Sequence, residues 1–199
     1  MLRFSKALLL AAFGLLPLAV QAAPLTVVNV GAPAINCVFN VTCTITVSDS
    51  IGNFTPPGDS GNGRFQSRTY TGVAPAPLAG KMGYEYRVDM TGVSAATAST
   101  CVNAIQLTFG PIVKGPYAPA GLADLFVVTS GGLGSVGVSS ATRTGSMNIV
   151  VVNFGGGGVC PGQTSYFFGL ASATTTPVPS TVQLFYTPAA TATTAARVP

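Results

Sequence analysis

Few stretches of the chain place residue types where they could do chemistry. Gly58-Asp59-Ser60-Gly61 is a setting in which a serine can act as a nucleophile. A serine hydroxyl attacks only after a base, most often His, takes its proton. The chain has no His, and nothing around Lys81 or Lys114 points to a desolvated amine base. Every residue of Pro56-Pro57-Gly58-Asp59-Ser60-Gly61-Asn62-Gly63 is a turn former, so a loop between strands is expected.

Gly132-Leu133-Gly134-Ser135-Val136-Gly137 matches Gly-x-Gly-x-x-Gly after a candidate strand. A dinucleotide site also needs a helix opening at the third glycine and an acid about 20 residues on. Val138-Ser139-Ser140-Ala141-Thr142 is not helical and the distal position is glycine, so this is read as a loop with no cofactor. Glu85 and Asp89 could form an acid/base pair for glycoside hydrolysis, but along an extended strand they lie ~13 Å apart at ~3.3 Å per residue. That exceeds the roughly 5–9.5 Å such chemistry uses. A solvated strand face with Arg87 bridging the two acids is expected. Zinc would need His or Cys-x-x-Cys clusters, and Asp59 with Asn62 falls short of a calcium cage. No metal, cofactor or catalytic residue is assigned. Asn40-Val41-Thr42 is a formal glycosylation sequon that would lie within a strand.

Cys37, Cys43, Cys101 and Cys160 are the candidate disulfide residues, with three possible connectivities. If Cys37–Val47 is one unbroken strand, its two cysteines lie roughly 20 Å apart and cannot bond. A Cys37–Cys43 bridge therefore requires a turn near Asn40. Cys160 follows a glycine loop able to dock beside Cys101.

Arg3 and Lys6 precede the apolar run Ala7–Val20, which Pro17 interrupts, and Val20-Gln21-Ala22 has the small residues of a cleavage site. Residues 1–22 are expected to be a signal peptide cut between Ala22 and Ala23, with no membrane span afterwards. The chain is expected in the periplasm or outside the cell, where cysteines pair. Of nine basic residues, Arg3 and Lys6 leave with the leader. Seven then face five acidic ones, a net +2 spread along the chain, which gives no footprint for nucleic acid.

Charge is scarce and Gly, Pro, Ser and Thr are abundant, so the surface must be built from small polar residues on turn-rich β-structure. Apolar residues alternate through Cys37–Val47, Tyr84–Met90 and Cys101–Phe109, with Asn103 the polar exception on its face. Further strands are expected at Leu25–Val30, Arg64–Tyr70, Asp124–Thr129, Met147–Phe154, Thr164–Leu170 and Thr181–Tyr186. About nine strands divided by Gly and Pro turns predict an all-β fold, an antiparallel, disulfide-bonded β-sandwich. Residues 23–186 form its single domain, and the Ala/Thr/Pro-rich stretch 187–199 is expected to be a disordered tail.

Several motifs carry a resemblance. Asp49-Ser50-Ile51-Gly52-Asn53-Phe54-Thr55, Gln66-Ser67-Arg68-Thr69-Tyr70 and Tyr84-Glu85-Tyr86-Arg87 are three of them. Ile105-Gln106-Leu107-Thr108-Phe109-Gly110-Pro111, Val127-Val128-Thr129-Ser130-Gly131-Gly132-Leu133-Gly134 and Cys160-Pro161 with Phe167-Phe168-Gly169-Leu170 are the others. Over residues 45–185 the chain resembles exported bacterial β-sandwich proteins of uncharacterised function related to PEP-CTERM-type sorted surface proteins. It lacks their sorting tag after Tyr186, and Gly115–Leu122 is Pro/Ala-rich where such relatives often carry an Asp/Asn-rich loop. The resemblance implies a surface or extracellular setting and a Cys101–Cys160 bridge, and brings no activity.

The expected function is a secreted, non-catalytic structural or adhesive protein of the cell surface or extracellular matrix, self-associating by edge-strand pairing. The alternatives are a module binding carbohydrate or another surface polymer through Tyr70, Tyr117, Tyr166 and Tyr186, and a pilin-like subunit donating Leu25–Val30. The absence of Trp weighs against sugar binding.

Overall fold

The alternating stretches become strands wherever a neighbouring strand offers a free edge. A computed structural model describes residues 22–95, 100–118, 121–144 and 148–199. The expected signal peptide lies outside these residues except for its last position, Ala22, and so does Met147. The strands begin with β1 (Ala22–Pro24), β2 (Val27–Gly31), β3 (Ser48–Phe54), β4 (Ser60–Gly61), β5 (Gly63–Thr71) and β6 (Met82–Asp89). Next come β7 (Val93–Ser94), β8 (Cys101–Thr108), β9 (Ile112–Val113), β10 (Gly115–Ala118), β11 (Gly121–Ala123) and β12 (Leu125–Ser130). The chain ends with β13 (Val138–Thr144), β14 (Ile149–Phe154), β15 (Phe168–Ser172), β16 (Val178–Thr187) and β17 (Ala190–Val198).

Two sheets make the sandwich. One has the order β1-β13-β14-β8-β16-β17; the other runs β2-β12-β15-β6-β5-β3, with β9 also on β15. Their strand pairs are antiparallel except β2 with β12, which is parallel. The expected all-β sandwich is present, with more strands than the nine anticipated. The additions are short pairs such as β4–β7 together with β3, β13 and β17.

The inner faces form one apolar cluster. Tyr84, Tyr86 and Val88 of β6 and Leu125 and Val127 of β12 meet Ile105 and Leu107 of β8, Val150 and Val152 of β14, and Leu184 of β16. Tyr84 packs edge-on to Phe109 at 5.4 Å. The alternation in β8 changes phase at Asn103. Opposite this point Phe185 pairs with Ala104 and Tyr186 with Val102, leaving Asn103 as the extra residue of a bulge. Val102 therefore turns into the core, and Cys101 turns out toward its disulfide.

Two expectations need correction here. The expected disordered tail 187–199 contains β17, paired with β16 from Val178↔Val198 to Tyr186↔Ala190. Its Ala/Thr composition is low in complexity, but small residues suffice where a partner strand is already in place. Thr194, Ala196 and Val198 turn inward and are buried. Nor is Cys37–Val47 a strand. Ala34–Val38 is a 3-10 helix followed by turns, and Cys37 is bonded to Cys43 across a Cα separation of 4.0 Å. Asn40 supplies the required turn: its Oδ1 accepts from the Thr42 amide at 3.1 Å and its Nδ2 donates to the Thr44 carbonyl at 2.8 Å. The sequon thus sits on a turn.

The two sides of the sandwich differ. Along β3 and β17 the sheets are stitched together. Thr194 Oγ1 donates to the Asn53 carbonyl at 2.9 Å, the Tyr86 hydroxyl to the Arg197 carbonyl at 2.8 Å, and the Arg197 amide to Ser67 Oγ at 3.3 Å. Gly52 permits this approach, since a Cβ there would come within 2.4 Å of the Ala195 carbonyl oxygen. On the opposite side one segment serves both sheets: β1 lies on β13, and the chain then crosses to place β2 on β12.

Candidate functional site: a buried carboxyl group beneath an apolar cleft

The second face of the β6-containing sheet is also covered. A loop carrying the 3-10 helix and the Cys37–Cys43 bridge lies over it, with the Gly72–Lys81 loop and β10 beside it, and Ile35, Val38, Phe39, Tyr70, Leu78, Tyr117, Phe126 and Val128 form a second apolar cluster. Of the residues of β6 that point away from the sandwich core, Arg87 and Asp89 stay partly exposed while one lies fully beneath this cover. That residue is Glu85, which is 5% exposed. At Glu85 the expected solvated face is in fact covered. Burial came from the loop, which no alternation in β6 could report.

The ladder sets its neighbours. Asp49 of β3 sits opposite Arg68 of β5, and Arg68 sits opposite Glu85. Arg68 directs Nε to Asp49 Oδ1 at 3.0 Å, and Gln66 adds a bond to the same oxygen at 2.8 Å. Tyr70, opposite Gly83, donates its hydroxyl to Glu85 Oε1 at 3.0 Å. Gly83 is necessary for this, because a Cβ there would lie 2.3 Å from the Tyr70 ring. Arg87 does not bridge two acids. Its nearest carboxylate is Asp89 at 3.8 Å, its Nε is buried without an acceptor, and its guanidinium lies 4.9 Å from the Phe167 ring centre. Arg68 lies 4.1 Å from that same ring centre.

Burial raises the Glu85 pKa above its ordinary value, with the Tyr70 hydrogen bond and the Arg68 charge pulling it back and Asp49 adding to the rise. Tyr70 is raised well above a normal phenol, first by burial and then by the Glu85 charge. Burial similarly lowers Arg87, with Asp89 opposing. Above Glu85 opens a cleft of about 250 Å³, walled by Ile35, Ile45 and Val47 of the bridged loop and by Val128, Leu133 and Phe167 from the other side. A carboxyl in such a place can accept a hydrogen bond when ionised or donate one when protonated.

The other sequence candidates lie elsewhere. Ser60 is exposed on β4 and pairs with Ser94 of β7. Asp59 accepts from the Thr100 amide at 3.3 Å, and Asn62 accepts from Thr55 Oγ1 at 3.2 Å. Gly132–Gly137 is a loop after β12 that opens no helix, and Gly134 has φ +125 against the Ser165 carbonyl oxygen. Asp124 accepts from the Thr26 amide at 2.8 Å and lies 3.5 Å from Lys114 Nζ. Cys101 is bonded to Cys160. Ala22 and Ala23 are exposed on β1. Tyr70, Tyr117 and Tyr186 are buried and Tyr166 is half-buried, so they form no exposed aromatic platform. Sequence reasoning named Glu85 but missed its partners. The available signal was Gly83 two residues before it, which marks a place where a large ring lies on the strand.

Comparison with protein-family models, curated proteins and solved structures finds no match to the chain. Two disulfides accord with an oxidising, non-cytoplasmic compartment. Among the described residues no helix is long and apolar enough to cross a membrane.

Proposed function

We propose that this is a secreted, non-catalytic structural or adhesive protein of the cell surface or extracellular matrix that associates with its own copies through the β2 edge. The observation that carries this reading is the contrast between the two sides of the sandwich. The β3–β17 side is occupied by its own cross-sheet hydrogen bonds, whereas β2 ends its sheet. Thr26 and Ala32 turn their backbone groups to β12, so the alternate residues Val27, Asn29 and Gly31 turn theirs away from it. An outward row of amides and carbonyls is what a second strand pairs with. The sparse charge of the chain leaves little repulsion to oppose such pairing.

A second reading, strand exchange between copies, is favoured by the same segment. β2 is the parallel strand on an antiparallel sheet and is continuous with β1, so residues 22–31 could leave as one unit and seat in a neighbour. Light scattering on the size-fractionated mature chain tests both. Asn29→Pro removes an outward amide without touching the β12 ladder. Edge pairing predicts assemblies for the wild type and folded monomer for Asn29→Pro. Exchange predicts that Asn29→Pro still assembles and that deleting residues 23–31 leaves a fold that accepts a synthetic 23–31 peptide. A wild-type monomer at all accessible concentrations would overturn both.

A further inference from the structure

Glu85 lacks a cation. The outer face of the sheet carries Asp49 of β3, Arg64 and Arg68 of β5, and Glu85, Arg87 and Asp89 of β6, with Arg64 exposed opposite Asp89 at the far end of the ladder. Arg68 pairs with Asp49 and Arg87 with Asp89, and among the described residues Glu85 makes no ion pair. Its hydrogen bond comes from the Tyr70 hydroxyl. A buried carboxylate with so little compensation is costly, yet this one opens onto a cleft and not onto packed side chains. The segment that roofs the cleft, residues 32–47, contains no Asp, Glu, Lys or Arg, and neither does the loop 131–137 at its mouth. The neighbouring Gly72–Lys81 loop and β10 bring Lys81 and Lys114, but neither lines the cleft, and Lys114 pairs with Asp124.

We propose that the cleft binds a primary ammonium group at the end of a short aliphatic chain, with the Glu85 carboxylate receiving the ammonium and Ile35, Ile45, Val47, Val128 and Leu133 enclosing the methylenes. Size agrees. At ~30 Å³ for each water-sized group, the cleft holds roughly eight such groups, enough for an ammonium and about four to six carbons. Charge agrees in a narrower sense: the charged residues lining the cleft are Arg68 and Glu85, and Arg68 is already held by Asp49, which leaves Glu85 without a cation of its own. Arg68 does not repel the ligand strongly, since its charge is held against Asp49 and its plane lies over Phe167. The same chemistry is offered by a free alkylamine and by the lysine side chain of a partner protein. The cleft lies beside the end of β2, through Ala32, and takes no lining residue from β2 itself.

The test uses the full chain with both disulfides formed. n-Hexylamine, n-hexanol and Nα-acetyl-lysine-N-methylamide are titrated by calorimetry, with amide chemical shifts at Gly131, Gly132 and Leu133 locating the site. Hexylamine should bind saturably and at least about tenfold more tightly than hexanol, the worth of a hydrogen bond to a charged group. Its affinity should decline as pH falls through the titration of Glu85, because the protonated acid no longer attracts a cation. Glu85→Gln should lose about tenfold in amine affinity with hexanol unchanged. Should that variant fail to fold, Asn36→Asp, which adds a carboxylate to the cleft wall without removing an apolar contact, should strengthen amine binding and leave hexanol alone. Binding of the lysine derivative as well as hexylamine assigns the site to a partner's side chain, and binding of hexylamine alone assigns it to a free amine. Equal affinity for hexanol, a flat pH profile, or no amine binding overturns the proposal.

Discussion

One face of the β2-β12-β15-β6-β5-β3 sheet is covered by another sheet, and the other face by a bridged loop. Against the second sheet, backbone groups are satisfied in ladders, and the inward side chains have only to interdigitate. Under the loop, each backbone group needs its own arrangement. The Val73 amide donates to the Phe39 carbonyl at 2.7 Å, the Leu78 amide to the Val38 carbonyl at 2.9 Å, and the Asn40 amide to the Asn36 carbonyl at 2.9 Å. The regular face packs Tyr84, Tyr86 and aliphatic side chains into one apolar cluster, while the loop-covered face retains Glu85 and a cleft. An irregular cover seals less completely, and the imperfection leaves room for a site.

If the two faces differ in this way, removing their supports should give unequal effects. Replacing both Cys101 and Cys160 by Ala opens a closure spanning 59 residues and should cost about 4 kcal/mol in urea titrations. A loss near 1 kcal/mol would mean that the unfolded chain is already constrained between these positions. Phe39→Ala removes the ring that meets Tyr70, Tyr117 and Phe126, and should cost about 3 kcal/mol. Amide exchange should rise in residues 33–47 and 73–80 while β8 and β14 stay protected. Equal loss in those strands would show one cooperative unit and dissolve the comparison.

Smaller effects sharpen it. Converting Cys37 and Cys43 to Ala opens a closure of only six residues and should cost about 2 kcal/mol, confined to the loop by the same exchange measurement. Glu85→Gln reports through pH. The folded-state pKa of Glu85 is raised, so the folded chain holds this proton more tightly than the unfolded one. The contribution is fully present below the ordinary value of 4.5 and is lost as pH rises through the folded value. Wild-type stability should therefore fall across that window relative to Glu85→Gln. Parallel profiles for the two would show an ordinary, solvated carboxyl.

Strong alternation was legible because it is local. Tyr84-Glu85-Tyr86-Arg87-Val88 declares a strand whatever surrounds it, and β5, β14 and β16 are equally plain. Cys37–Val47 alternates just as well and is not a strand, since Val38 and Phe39 are both buried while Val41 is 53% exposed. β17 went unread for the opposite reason: Ala and Thr carry too little hydrophobic contrast to mark an inward face. Of the site, Glu85 was named, but its burial depends on a loop about forty residues earlier in the chain.

By itself, the amino-acid sequence determined the β class, the turn positions, the four cysteines and the absence of a histidine base. These are properties of single residues and of spacings within one strand. Tertiary structure alone decided that β17 completes a sheet, that Cys37 meets Cys43 across the Asn40 turn, and that β2 runs parallel at an edge. It also decided that Glu85 lies beneath a roof and not in water. Each of these depends on which distant segment supplies the hydrogen-bonding edge or the covering surface, and period-two alternation is the same in a strand whose outer face meets solvent and in one whose outer face meets another part of the chain.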